Sequence, residues 1–373
     1  MKSLVILPAS LLCIWACQPL TNPLADSAPL IWQQPLKPDS LPCIGFGPYA
    51  WEKHLWVQVD SNAIGLRHGE TGQLFWSYTL PSGWLNDSWV LEEIAVTQDA
   101  LWLFHEKEAI RIDPYTGQGE VLPYGLSHGT WTTRLGYVFQ QYVYLPTYSV
   151  DHVWLLRWNT QDAPLPQWDT LYSYLLGAQE YALIDGTSAW VNGWAANLRL
   201  WDAPTQTGRS SLLLQTADSL QVKPYAEDDG TGLPLIQWNG LLFAAGRHNL
   251  YAFQLNGDSL LWKLPLPFAW AVPGWVLLPE GLYMLNHMGE GAWIDPLSGQ
   301  ILQQFQLTGI SWIDRLRPGP LGLYLSWDRG LVQVSHGGWR KSHSMPTALE
   351  PYVAVLPNGI ACRDRRFLYR LGP

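Results

Sequence analysis

One short pattern returns eight times along this chain, and its spacing limits the folds that the chain can adopt. Each copy has a central residue flanked by apolar residues, and polar residues follow. Successive copies are 46, 42, 46, 53, 40, 41 and 37 residues apart, close to the period of about 40–45 residues of a four-stranded propeller blade. The pattern predicts an all-β fold, an eight-bladed β-propeller of four-stranded antiparallel blades. The central residues are Trp56, Trp102, Tyr144, Trp190, Phe243, Tyr283, Tyr324 and Ala361.

Each copy leads into a second strand pattern, a turn with glycine and a third strand pattern. In the first copy these are the segments 64–67, 70–72 and 74–76. Glycine supplies the positive φ that many hairpin turns require. The repeat is therefore a run of short antiparallel strands, and this agrees with the predicted blade.

The composition favours strands and excludes one class of ligand. The chain has 23 Trp, 17 Tyr, 28 Pro and 33 Gly, and this mixture of aromatic and turn-forming residues is typical of short strands joined by tight turns. The formal net charge is −9. No basic surplus exists that could displace counterions from phosphate, so nucleic acid is not expected as a partner.

The N-terminal residues form a segment of a different kind. Lys2 precedes a short apolar run that ends near Cys17. The run is too short to cross a bilayer, which takes about 20 apolar residues, and it has the layout of a secretory signal. Residues 14–17, Ile-Trp-Ala-Cys, resemble a bacterial lipobox. The resemblance implies a signal peptide over 1–16, lipidation of Cys17 and a tether over 17–29; an ordinary signal peptide or a buried cysteine is the alternative.

Residues 71–76 read Thr-Gly-Gln-Leu-Phe-Trp and resemble the repeat motif of the PQQ-like, or quinoprotein-type, propeller family. The resemblance extends over residues 30–373, although the other copies keep only parts of the motif. In the family the motif's Trp docks one blade against the next. Thr71, Gly72 and Trp76 are accordingly expected to dock blades, and the resemblance implies no activity.

The two ends of the repeat region complement each other. After the eighth copy the chain supplies only a third strand, over residues 366–371. Residues 30–36, Leu-Ile-Trp-Gln-Gln-Pro-Leu, look like the fourth strand at 260–266, Leu-Leu-Trp-Lys-Leu-Pro-Leu. An N-terminal strand is therefore expected to close the ring, because closure removes an exposed sheet edge.

Two cysteines fall near the same junction of this ring. Cys43 precedes the first copy and Cys362 lies in the last. An oxidising compartment would permit a disulfide between them. Two separate buried thiols are the alternative.

No pattern of catalytic, metal-binding or cofactor-binding residues emerges. The PQQ-dependent dehydrogenases carry a vicinal Cys pair, and this chain has none. The acidic loop at 227–232 does not have the ligand spacing of an EF-hand, the nine His show no paired zinc spacing, and no nucleophile-elbow motif frames a Ser. We therefore predict no cofactor, no metal and no catalytic residue, and an enzymatic activity stays an open question.

A propeller on a lipid anchor resembles, in architecture, the lipoprotein subunit of the outer-membrane β-barrel assembly machinery. The resemblance implies a monomeric, non-catalytic scaffold in the bacterial envelope, at the outer membrane, that binds another envelope protein. Two alternatives remain: an enzyme or carbohydrate-binding protein that uses the central channel, and a structural surface protein. A convergence of carboxylates or His at the channel mouth would favour an enzyme, whereas a broad apolar patch or one built from loops would favour the scaffold.

Overall fold

Seven sheets of the computed structural model follow one another along the chain, each built from consecutive strands, and the sixth has one distant strand added. We number these sheets as blades 1 to 7. The structure describes residues 18–20, 30–35, 49–60, 62–82, 84, 95–97, 99–127, 130–132, 136–161, 166–190, 193–216, 219–227, 235–255, 259–268, 274–307, 313–319, 322–327, 330–335, 338–344, 349–356, 358–364 and 367–371.

The blades have the following strands. Blade 1 contains β3 (Tyr49–Trp51), β4 (His54–Asp60), β5 (Ala63–His68) and β6 (Leu74–Thr79). Blade 2 contains β7 (Ala95–Val96), β8 (Leu101–Phe104), β9 (Glu108–Ile112) and β10 (Gly119–Pro123). Blade 3 contains β11 (Trp131–Thr132), β12 (Tyr137–Phe139), β13 (Tyr142–Tyr148), β14 (His152–Asn159) and β15 (Asp169–Leu175). Blade 4 contains β16 (Glu180–Trp190), β17 (Gly193–Asp202), β18 (Thr207–Gln215) and β19 (Leu220–Ala226).

The later blades continue the series. Blade 5 contains β20 (Ile236–Trp238), β21 (Leu241–Ala245), β22 (Asn249–Gln254) and β23 (Leu260–Pro265). Blade 6 contains β24 (Gly274–Leu278), β25 (Gly281–Leu285), β26 (Glu290–Ile294) and β27 (Ile301–Leu307), together with β1 (Gln18–Leu20). Blade 7 contains β28 (Ile313–Gly319), β29 (Gly322–Trp327), β30 (Gly330–Ser335) and β31 (Gly338–Ser344).

One further sheet is assembled from distant parts of the chain, and we call it the closing sheet. It contains β32 (Leu349–Leu356), β33 (Gly359–Asp364), β34 (Phe367–Leu371) and β2 (Leu30–Pro35). Strand β2 is antiparallel to β34, with Leu30 opposite Leu371 and Pro35 opposite Phe367.

The prediction of an eight-bladed propeller of four-stranded antiparallel blades is wrong in the number of blades, which is seven. Seven blades are built from consecutive strands, and the closing sheet is not an independent repeat because its fourth strand comes from the other part of the chain. Two of the seven blades also have five strands. In blade 6 the added strand β1 pairs with β27 in parallel. A further strand can add there because the outer strand of a blade has unpaired N–H and C=O groups. In blade 3, β11 and β12 both pair with β13.

One copy of the repeat was also misplaced in the sequence. Trp190 was taken as a centre equivalent to Trp56, which lies on the second strand of its blade, but Trp190 ends β16, the first strand of blade 4. The second strand of that blade is β17, which begins at Gly193, as β25 begins at Gly281. Blade 4 has an unusually long first strand with a bulge between Asp185 and Ser188. This extra length placed Trp190 near the position that the repeat spacing predicts for a second strand.

The core lies between blades. In one cluster, Trp56 and Ile64 of blade 1 pack on Leu101 and Ile110 of blade 2, and all four are fully buried. Burial of a large apolar side chain stabilises a fold by about 1.5–3 kcal/mol. The blades are thus held together mainly by apolar packing.

Blade 4 departs from this apolar pattern. The guanidinium of Arg199 on β17 donates a hydrogen bond to the Asp185 carboxylate on β16, and the Asp185 side chain is buried. Desolvation raises the pKa of Asp185 above its usual range, although the charge of Arg199 acts in the opposite direction.

The first strands of neighbouring sheets contact one another, as β24 does with β28, β28 with β32 and β32 with β3. Since strands alternate in direction, the hairpins between second and third strands share one face of the ring with the connections between blades. We call this face A. The other hairpins lie on face B. No helix among the described residues has the length and apolar character needed to span a membrane.

Candidate interaction site

A cleft of about 670 Å³ opens on face A at the junction of blades 3 and 4. One wall is the hairpin between β13 and β14, residues 148–151, and the other is the connection from β15 to β16, residues 176–182. Both walls are loops carried by rigid strands, an arrangement that commonly places binding residues.

Three large apolar side chains stand in solvent around this cleft. Val150 is 89% exposed, Leu175 is 65% exposed and Tyr181 is 63% exposed. Val150 and Tyr181 line the cleft directly, and Leu175 precedes the connection that forms its second wall. We call these three residues the loop patch. Single exposed apolar residues are common, whereas large contiguous apolar patches often mark interaction sites.

The first wall of the cleft is held by its own polar groups. Ser149 Oγ donates to Asp151 Oδ1 at 2.8 Å, and His152 Nδ1 is 3.0 Å from the same oxygen. The Leu176 amide donates to the Asp151 carbonyl at 2.8 Å and so joins the two walls. The hydrogen bond from His152, followed by that from Ser149, lowers the pKa of Asp151, so the rim of the cleft carries a carboxylate at neutral pH.

The second wall is held by Glu180. The Gly177 amide donates to Glu180 Oε2 at 3.0 Å, and Arg209 Nη2 donates to Oε1 at 2.9 Å. The Tyr174 hydroxyl donates to the same carboxylate at 3.2 Å. Burial, and then the charge of Glu180, raises the pKa of Tyr174, which therefore stays a neutral donor. These bonds cross from β15 to β16 and β18 and fix the loop before any partner binds.

Ser149, Asp151 and His152 are in contact, but their order does not suit nucleophilic catalysis. A catalytic triad needs the His between the nucleophile and the carboxylate, so that the imidazole accepts the nucleophile's proton. Here the carboxylate of Asp151 lies between Ser149 and His152. The described residues also contain no group of three or more His, Cys, Asp or Glu side chains that could hold a metal ion.

The residues of the Thr-Gly-x-x-x-Trp motif lie on face B, away from the cleft. Trp76 Nε1 donates to the Pro114 carbonyl of blade 2 at 3.0 Å, and its indole lies against Gly117. Thr71 and Gly72 form the turn before β6, where Gly72 has a φ of 71°. In blade 5, Trp262 donates to the Pro296 carbonyl of blade 6 at 3.2 Å in the same way.

Of the three cysteines in the predictions, the structure describes Cys362. Cys362 is buried in the closing sheet. Cys17 and Cys43 lie outside the described residues, so lipidation and the Cys43–Cys362 disulfide stay predictions. Of the acidic loop at 227–232, only Glu227 is described.

The loop patch was not predicted from the sequence. Val150 and Tyr181 carry no motif, and the repeat fixes strands, whereas these side chains lie where strands meet loops. The only available signal was an apolar residue inside the polar run Ser149–Asp151.

Among the comparisons with known proteins, only solved structures match this chain, and they match in fold. No protein-family model and no curated protein sequence matches the chain. A solved structure of BamB from Moraxella catarrhalis matches with a TM-score of 0.62 and 12% identity, over 92% of this chain and 100% of that one. Quinohemoprotein alcohol dehydrogenase ADHIIG from Pseudomonas putida HK5 matches with a TM-score of 0.59 and 10% identity, over 93% and 72%.

This chain has the PQQ-type β-propeller fold. AztD from Citrobacter koseri matches with a TM-score of 0.54 and 12% identity, over 81% of this chain and 87% of that one. At these identities the likeness concerns the fold, which such propellers combine with different activities. The function of this chain therefore has to be argued from the residues of its own sites.

Proposed function

We propose that this PQQ-type propeller is a lipid-anchored scaffold of the bacterial envelope that binds another protein through the loop patch. The observation that carries the proposal is the exposure of Val150, Leu175 and Tyr181 beside a preformed cleft. An exposed apolar surface at a loop-built cleft favours a scaffold.

The patch is suited to an apolar segment of a partner. Covering the Val150 and Leu175 side chains stabilises a complex by up to about 1.5–3 kcal/mol each. Tyr181 adds an aromatic side chain, a residue type that is enriched among interface hot spots. Because the Glu180 network already fixes the second wall, binding costs little loop ordering. The Asp151 carboxylate on the rim favours a partner with Lys or Arg beside the apolar segment.

The anchor and the location rest on the N-terminal sequence. The signal layout and the lipobox-like residues 14–17 support lipidation of Cys17 and attachment to a membrane. The choice of the outer membrane rests on the resemblance in architecture alone. One acyl chain alone binds a membrane only marginally, so stable anchoring needs more than one chain or a second contact. The mass of the mature N-terminal peptide tests this part: a Cys17 carrying acyl groups supports it, and an unmodified Cys17 overturns it.

The binding proposal is tested by capture from native membranes with the anchor intact. Val150 is replaced by a photocrosslinking amino acid, and a matched control carries the same group at Leu297, which is 62% exposed on face B. We expect one envelope protein to be crosslinked from position 150 and not from position 297. Equal crosslinking from both positions, or none from either, contradicts the proposal.

A triple variant gives an independent measure. Val150→Asp, Leu175→Asp and Tyr181→Ser remove the apolar surface without touching a buried residue, so the fold should be kept. The variant should lose the captured protein, whereas Leu297→Asp should retain it. If the triple variant still bound the captured protein, the binding surface would not be the loop patch.

A further inference from the structure

A five-residue turn on face B recurs between the third and fourth strands of blades 2 and 6. It reads Asp-Pro-x-Thr/Ser-Gly, at 113–117 and 295–299. The Asp113 carboxylate accepts from the amides of Tyr115 at 2.7 Å and Thr116 at 3.0 Å. Asp295 accepts from the Leu297 amide at 3.0 Å. In both blades the Asp carboxylate caps the turn by accepting hydrogen bonds from backbone amides of the same turn.

The turn at the same place in blade 1 has a different cap. His68 replaces the aspartate, and its Nδ1 accepts from the amides of Glu70 at 3.2 Å and Thr71 at 3.3 Å. Gly69 stands in place of the proline. The turn ends at Gly72, whose amide donates to the His68 carbonyl at 2.8 Å.

This turn also receives a different neighbour. In blades 2 and 6 the proline carbonyl accepts from a Trp of the preceding blade, whereas here the Gly69 carbonyl accepts from Arg370 Nε of the closing sheet at 3.2 Å. The same buried guanidinium donates to the carbonyls of Asn358 at 2.7 Å and Ile360 at 3.3 Å. Arg370 thus ties the closing sheet to the His68 turn.

We propose that His68 makes the junction between blade 1 and the closing sheet acid-sensitive. The imidazole accepts two amide hydrogens only while Nδ1 keeps its lone pair, so the hydrogen of the neutral ring is on Nε2. Protonation places a hydrogen on Nδ1 that faces the Glu70 and Thr71 amides. Both bonds are then lost, and the turn that presents the Gly69 carbonyl to Arg370 is released.

A second imidazole lies beside the His68 turn. His54 on β4 has its ring centroid 5.8 Å from that of His68. Burial, followed by the charges of His68 and Lys53, lowers the pKa of His54, while the Glu52 charge acts in the opposite direction. A positive charge on His68 would therefore hold His54 in its neutral form.

The remaining charged neighbours are of both signs. Arg67 Nη1 donates to the Gly72 carbonyl at 2.8 Å, and Arg370 approaches from the closing sheet. Glu70, within the turn, is exposed to solvent, where a carboxylate is screened and offsets little of the added charge.

The aspartate caps behave in the opposite way. Hydrogen bonds from the Thr116 and Tyr115 amides lower the pKa of Asp113 below its usual range. A hydrogen bond from the Ser298 side chain, and then one from the Leu297 amide, does the same for Asp295. Both carboxylates remain acceptors at pH 5.5, so only the histidine-capped turn of these three should respond to mild acid.

Hydrogen exchange of the full-length protein at pH 7.5 and 5.5 tests this, after correction for the intrinsic effect of pH. Losing the two capping bonds should raise exchange in the peptides of 68–72 and 358–371 by roughly tenfold at pH 5.5. The peptide of 113–117 is the internal control and should not change. His68→Asp copies the cap of blade 2 and should abolish the response.

Two further variants separate the alternatives. His68→Asn keeps an acceptor that does not titrate, so it should also abolish the response, and it covers the case in which His68→Asp fails to fold. His54→Gln should keep the response. The proposal is overturned if both His68 variants respond like the wild type, if His54→Gln alone abolishes the response, or if the 113–117 turn opens equally.

Discussion

The indole nitrogen of Trp76 in blade 1 donates a hydrogen bond to the carbonyl oxygen of Pro114 in blade 2, at 3.0 Å. The ring of Trp76 also covers Gly117 at the end of the same turn. Trp262, Pro296 and Gly299 repeat the arrangement between blades 5 and 6. Each of these Trp side chains therefore adds a polar contact between blades to the apolar packing in which it takes part.

Replacing Trp76 by Phe should lower the free energy of unfolding. The variant leaves the Pro114 carbonyl without its donor and removes part of the ring that packs on Gly117, a loss of about 1–3 kcal/mol. Urea denaturation followed by circular dichroism measures it. Trp262→Phe should show a similar loss, and no change in either variant would contradict the docking role.

Gly117→Ala should be more destabilising than Gly125→Ala. Both glycines have positive φ, 73° and 63°, so a side chain strains both backbones alike. An added Cβ would be 2.4 Å from the Trp76 ring at Gly117, whereas at Gly125 it would meet nothing within 4 Å. The clash should add about 1–3 kcal/mol at Gly117. The comparison uses thermal unfolding of the two variants, and equal losses would mean that strain alone matters.

Arg199→Met should destabilise the protein strongly, because it leaves the buried Asp185 carboxylate without its partner. Breaking one side of a buried ion pair costs about 3–5 kcal/mol, whereas replacing both partners by apolar residues is often nearly neutral. The double variant Asp185→Leu/Arg199→Met should therefore unfold at a higher urea concentration than Arg199→Met. The reverse order would contradict this account.

The same pair predicts a pH dependence. Burial raises the pKa of Asp185 above its ordinary value of 3.8, so the folded state takes up this proton at a higher pH than the unfolded state. The contribution of Asp185 to stability is therefore unfavourable at neutral pH and becomes less so as the pH falls toward 3.8. Because Arg199 opposes the rise, the deficit of Arg199→Met relative to wild type should narrow as the pH is lowered from 7 to 4.5. A deficit that widens would contradict the prediction.

Arg370→Met should weaken the junction of the closing sheet with blade 1. Carbonyl oxygens of Gly69, Asn358 and Ile360 would lose a donor, and a buried polar group left unsatisfied costs about 1–3 kcal/mol. Arg370→Lys keeps the charge but cannot reach several carbonyls at once, so its loss should be intermediate. Limited proteolysis should cleave both variants within 349–371 before any other segment, and cleavage elsewhere first would argue against a local role.

The periodic features were predictable from the sequence because each repeat must bury the same positions. Trp56 and Tyr283, for example, lie on second strands as the spacing indicates. The error at Trp190 arose where a bulge lengthened β16, since period counting cannot detect an inserted residue.

The loop patch could not be predicted from the sequence, for a different reason. The exposure of Val150 and Tyr181 depends on how two blades meet, and this is a tertiary property. The histidine cap was equally hidden, because His68 resembles Asp113 only once the turn geometry of both is known.

The pairing of β2 with β34 has a consequence for the order of folding. β2 precedes blade 1 in the chain and β34 follows blade 7, so their pairing spans all seven blades. Blades 1 to 7 can form one after another from strands that are adjacent in sequence, whereas the final sheet has to wait for a contact of very high sequence separation, which slows folding. Until β2 and β34 pair, the arc of blades stays open, and each of the two unpaired sheet edges is a template on which another strand could add.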